Sequence, residues 1–122
     1  MRPKKKTLVI GASIKKERYS NKAIRLLRQH NHPVEAIGIR EGEIGDVKFK
    51  TGIPPLSDVN TVTLYIRPQR QHIYYNYIEE LKPKRVIFNP GTENDELIRI
   101  LSAKGVEVIE NCTLVMLNSE LF

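Results

Sequence analysis

Tryptophan is absent from the 122 residues, cysteine occurs once, at Cys112, and histidine three times. A lone cysteine excludes an internal disulfide and any multi-cysteine metal centre, and His30, His32 and His72 share no ligand spacing with it, so no metal site is expected. Long apolar runs are missing as well, which excludes a membrane-spanning helix. The opening "MRPKKKTLVIGAS" sets basic residues before an apolar run too short for a signal-peptide core, so export is not indicated and cytoplasm is the expectation. Acidic residues are in deficit: 14 Asp plus Glu against 20 Lys plus Arg give a net charge of +6, which favours anionic partners. The glycines of a G-x-G-x-x-G fingerprint are missing too, since Ser13 and Lys16 stand where its second and third would fall. No Ser/His/Asp or Cys/His set and no paired acid and base occur at a credible shared site, so no catalytic residue is assigned.

What is present is a regular alternation of short apolar runs and amphipathic stretches. "KTLVIGA" (6–12), "HPVEAIGI" (32–39), "NTVTLYI" (60–66), "PKRVIFN" (83–89) and "VEVIE" (106–110) read as strands. The turn-rich stretch from Arg40 to Val59 allows one further short strand, at 47–49. Between the strands, helices are expected from about Tyr19, from Arg67-Pro68 to Leu81, and from Thr92, which can cap a helix whose first turn holds Asp95 and Glu96. Gly105 supplies a left-handed stop, and "CTLVMLNSELF" ends the chain as a short helix or apolar tail. Tyr74 and Tyr77 fall on the inner face of the second helix and Tyr75 in solvent. The length suits one domain over 1–122, with a flexible start at 1–5. Runs such as "LVI" and "VIF" suit strands covered on both faces, so the fold class is α/β: a single Rossmann-like, three-layer domain with a mainly parallel sheet of about five strands.

Ligands of such sheets bind outside the carboxyl ends of the strands, which directs attention to the residues there. Gly11, Ala12 and Ser13 follow the first strand; they suit either a tight turn or a backbone cradle for a phosphate. Ser20 and Asn21 suit either a helix cap or a phosphate contact. After the second strand come Ile39, Arg40 and Glu41; an arginine there matches a phosphorylated adenosine ribose, as in coenzyme A or NADP, and equally a solvated turn. After the third strand, Arg67 and Arg70 sit near a helix start, where they either neutralise an anion or extend into water. Pro90 and Gly91 follow the fourth strand at another turn suited to a polar group. Asn111 and Cys112 follow the fifth, the cysteine best read as buried and inert.

Taken in order, "VIGAS" with "YSNKA", then "TGIPPLSDV", "YIRP", "NPGTEN" and "VEVIENC" resemble the single-domain coenzyme A-binding proteins, whose fold is similar to the CoA-binding domain of succinyl-CoA synthetase alpha subunits. The resemblance spans nearly the whole chain. It implies CoA along the strand carboxyl ends, with Gly11, Ala12 and Ser13 near its phosphates and Arg40 near the 3′-phosphate. Arg67, Pro68, Pro90 and Gly91 match its cleft-lining turns, and Asn111-Cys112 its usual ending. Relatives commonly carry Asn-Pro where this chain has Ile39-Arg40, and many carry Trp and Gln before the glycine of Phe88-Asn89-Pro90-Gly91. The synthetase's phosphorylated histidine belongs to a separate domain, so no histidine here inherits its role. The expected function is non-catalytic binding of CoA or an acyl-CoA. An NADP-type dinucleotide enzyme is the alternative, and nucleic-acid binding, suggested by "RPKKK", is weakened by the spread of the basic residues over several elements. A membrane partner is not expected, whereas a partner enzyme or self-association through "TLVMLNSELF" is open.

Overall fold

The computed structural model describes residues 3–122. Five parallel strands form the sheet in the order β2-β1-β5-β6-β7: β1 (Thr7–Ala12), β2 (Val34–Gly38), β5 (Thr61–Leu64), β6 (Arg85–Phe88) and β7 (Glu107–Glu110). A separate antiparallel hairpin joins β3 (Gly42–Ile44) to β4 (Val47–Phe49). Only β4 was expected of that pair; glycines at 42 and 45 disguise β3 as turn. Beyond β4, Lys50 bridges to Ile37 in parallel, so the hairpin is tied to the edge of β2.

The fully buried alternation of β1 divides the core. Leu8 and Ile10 point to one face, where Val62, Leu64, Ile78, Val86, Phe88, Leu97 and Leu101 gather under α2 (Tyr75–Leu81) and α3 (Asp95–Ala103). Val9 and Ala12 point to the other, where α1 (Tyr19–Gln29), α4 (Thr113–Asn118) and the hairpin supply Ile24, Leu27, Phe49, Met116 and Leu117, joined by Phe122 beyond α4. Removing these side chains from water, at about 25 cal/mol per Å² of apolar surface, drives the three layers together.

Several local expectations are corrected. The single helix expected from Arg67-Pro68 to Leu81 is two 3₁₀ turns, Pro68–Arg70 and His72–Tyr74, followed by the shorter α2. The break is held by Gln71, fully buried, whose amide donates to the carbonyls of Ile66 at 3.0 Å and Thr92 at 2.7 Å. Tyr75 is half-buried rather than free in solvent, and its hydroxyl accepts from the Asn94 amide at 2.9 Å. The α3 cap is Asn94, whose side-chain oxygen accepts from the Leu97 N–H; Thr92 instead turns its hydroxyl back onto the Asn89 carbonyl. Neither Ser20 nor Asn21 caps α1, since Arg18 holds the cap position with no side-chain bond. Of the expected flexible start, residues 1 and 2 lie outside the described residues, while Lys4 donates to the His30 carbonyl and the Lys5 N–H to His32 Nδ1.

Candidate functional site

The chain order reverses between β1 and β5: it passes from β1 outward to β2 and returns across β1 to β5. The two crossovers leave in opposite directions from this point, so a crevice opens above the carboxyl ends. A cleft of about 610 Å³ occupies it.

Its floor depends on close backbone approach. The pairing of β1 with β2 shifts register between Ile10 and Ala12, and Gly11 takes φ +107° at the shift. A β-carbon on Gly11 would stand 3.1 Å from Ile66 Cγ2 and from the Tyr65 carbonyl carbon, so glycine lets the exits of β1 and β5 meet. Gly38 meets the Ala12 carbonyl in the same way on the β2 side, where an added β-carbon would lie at 2.6 Å.

The loop after β1 is fastened from behind. Asn21, buried in the first turn of α1, donates to the Ser13 carbonyl at 2.9 Å and accepts from Arg25 Nε at 2.8 Å; Arg25 also donates to the Lys16 carbonyl at 3.1 Å. The Ser13 hydroxyl accepts from the Lys15 N–H at 3.2 Å. The loop is thus ordered by its own bonds, and the first-turn amides of α1 carry no side-chain cap.

Of the residues expected from sequence, Gly11, Ala12, Ser13, Ser20, Ile39, Arg40 and Pro90 converge on the cleft wall. Asn21 stands behind it, and Arg67, Pro68 and Gly91 lie in turns that lead to it without lining it. Asn111 and Cys112 are also outside the wall. Sequence reading missed Ile14, Tyr19, Phe49, Tyr65 and Thr92 as wall residues. Ile14 and Tyr19, each 66% exposed, gave a signal as apolar side chains in a polar loop; Phe49, from the hairpin, gave none. Arg70, and not Arg67, is the arginine that faces the cleft.

Charge on the wall is mainly positive: Lys15, Arg18, Arg40 and Arg70 against Glu41. Among the described residues none of these four cations makes a side-chain hydrogen bond or ion pair. Beneath them, polar groups are satisfied internally: Asn89 donates to Thr63 Oγ1 and the Leu64 carbonyl and accepts from the Thr113 N–H, locking β5, β6 and α4. Tyr65 is the exception. Its hydroxyl is buried near Thr63 and Thr113 but meets neither with hydrogen-bond geometry, and burial pushes the phenol up to about 12. Such a phenol keeps its proton near neutral pH, far from the pKa that favours proton transfer there. Among the described residues no group of three or more His, Cys, Asp or Glu side chains is placed to hold a metal, and no helix is long and apolar enough to cross a membrane.

Proteins of known structure share this fold. A crystal structure of an uncharacterised protein is 48% identical, with a TM-score of 0.96, over 99% of this chain and 100% of that one. A conserved hypothetical protein from Pyrococcus furiosus is 25% identical, with a TM-score of 0.79, over 91% of this chain and 97% of its own. A hypothetical protein from Pyrococcus horikoshii OT3, 23% identical with a TM-score of 0.85 over 97% of this chain and 84% of that one, shares the fold. No curated protein matches the chain. The profile of a family described as a CoA binding domain matches residues 5–118, which takes in every strand of the sheet and the whole cleft wall. With that span matched, the chain belongs to the family of CoA-binding domains.

Proposed function

We propose that the chain binds coenzyme A or an acyl-CoA in this cleft and holds it without reaction, as a carrier or sensor. The observation that carries the reading is the positively charged cleft above the β1, β2 and β5 exits, walled by the loop at 11–13 and by Arg40. In this reading the pyrophosphate lies over Gly11, Ala12 and Ser13, with Lys15, Arg18 and Ser20 beside it. Backbone amides and cations favour an anion there. Arg40 takes the 3′-phosphate as a charge-assisted pair, Ile39 flanks the adenine, and the pantetheine arm crosses Tyr65, Ile66 and Pro90. Asn21 acts from behind by fixing the Ser13 carbonyl, while Arg67-Pro68 and Gly91, with φ +91°, shape the turns that present Arg70, Pro90 and Thr92.

Thermal denaturation with CoA, 3′-dephospho-CoA and NADPH tests the reading. A ligand at a hundred times its dissociation constant adds about 2.7 kcal/mol. CoA is expected to stabilise most, dephospho-CoA less, and Arg40→Ala to erase the difference between them. Absence of stabilisation by millimolar CoA overturns the proposal, and stronger stabilisation by NADPH than by CoA restores the dinucleotide alternative.

A further inference from the structure

Arg70 stands apart from the other cleft cations. The cleft runs across the exits of β2, β1 and β5 towards β6, and Arg40 lies at the first of these, Lys15 and Arg18 at the second. Arg70 belongs to the third, about 10 Å from the β2 exit at ordinary strand spacing, on the 3₁₀ turn that follows β5. Burial pushes the neighbouring Tyr74 phenol up, and the Arg70 charge acts the other way. The rest of this end needs no cation. The Thr92 hydroxyl donates to the Asn89 carbonyl, the Thr92 carbonyl accepts from Gln71, and Ile66 and Pro90 are apolar.

If CoA lies as proposed above, its phosphates are met from the β1 and β2 exits, and the arm that reaches Arg70 is an uncharged chain of amides ending in a thiol. A guanidinium gains little from that arm, but it forms paired, charge-assisted hydrogen bonds with a carboxylate. We infer that the ligand is an acyl-CoA whose acyl group carries its own carboxylate, and that Arg70 is the residue that selects it. This inference rests on the CoA reading.

The test is calorimetric titration of the full chain with CoA, butyryl-CoA, malonyl-CoA and glutaryl-CoA, repeated with Arg70→Gln and Arg70→Lys. Arg70 is exposed and makes no side-chain hydrogen bond among the described residues, so both variants are expected to fold as the parent does. At least one carboxylate-bearing thioester is expected to bind about tenfold more tightly than butyryl-CoA, as one charged hydrogen-bonding pair provides. Arg70→Gln should bring that ratio to about one, with Arg70→Lys between the parent and Arg70→Gln. Equal binding of all the thioesters overturns the inference alone. An equal loss of affinity for all four ligands in Arg70→Gln also overturns it, because Arg70 then acts on the CoA moiety they share. If none of the four ligands binds the parent chain, the CoA reading itself fails and the inference falls with it.

Discussion

Gly42 lies against the ring of Phe49 so closely that a β-carbon on it would stand 2.4 Å from the ring's Cζ, and 2.6 Å from Ile14 Cγ2. This contact sets the β3–β4 hairpin against the loop after β1, and both Phe49 and Ile14 line the cleft. Gly42→Ala therefore forces the ring or the loop to move. Overpacking of this kind costs about 1–3 kcal/mol. Chemical denaturation should show that loss, and CoA titration a weakened affinity; an unchanged denaturation midpoint would refute the close packing.

The hairpin also marks where sequence reading stopped. All five sheet strands were legible to within two or three residues because continuous apolar runs bounded by proline, glycine and charge suit strands covered on both faces. β3 was not, since "GEIG" looks like punctuation until Phe49 is seen packed on its first glycine. At the site, Gly-Ala-Ser, Ile39-Arg40 and Pro90 were readable because topology alone brings strand exits together. The choice between Arg67 and Arg70 was not, because it depends on a 3₁₀ turn fixed by a buried Gln71 whose partners lie at Ile66 and Thr92. The α3 cap shows the same limit: Thr92 and Asn94 are both good cap residues, and only the bond from Thr92 to the Asn89 carbonyl decides between them.

Tyr65 offers a second prediction. A buried hydroxyl without a partner costs about 1–3 kcal/mol, and replacing it by hydrogen removes that cost without opening a large cavity. Tyr65→Phe is expected to leave stability unchanged or raise it by up to about 1 kcal/mol. Asn89→Ala, by contrast, removes three buried bonds at once, those to Thr63 Oγ1 and the Leu64 carbonyl and the one from the Thr113 N–H, and should lower stability by several times that amount. A loss on Tyr65→Phe comparable to that of Asn89→Ala would show that the hydroxyl has a partner.

At the opposite end of the sheet, His32 predicts an acid limit. It is 7% exposed, accepts the Lys5 N–H at Nδ1 and packs its ring 4.9 Å from that of Phe122. Burial, with Lys4, His30, Lys5 and Arg85 adding positive charge, lowers its pKa from 6.5 to about 4. Between those values the unfolded chain takes up a proton that the folded chain refuses, so stability falls as pH drops from 6.5 to about 4 and is unaffected by this group above 6.5. After allowance for solvent screening the loss is on the order of 1–3 kcal/mol. His32→Asn keeps an acceptor for Lys5 and cannot titrate, so its melting temperature should fall less over that window; parallel curves for the two proteins would rule His32 out.

The lack of tryptophan gives two cleft residues an optical use. Ultraviolet emission of the described chain comes from tyrosine alone, and of its five tyrosines two, Tyr19 and Tyr65, sit in the cleft wall while Tyr74, Tyr75 and Tyr77 pack on or beside the α2 face. Tyr19, exposed at the mouth with the Lys22 ammonium 5.3 Å from its ring centre, is where an arriving base would quench first. Filling of the cleft should therefore register as a change in native tyrosine fluorescence against a steady background, without a label or an engineered probe.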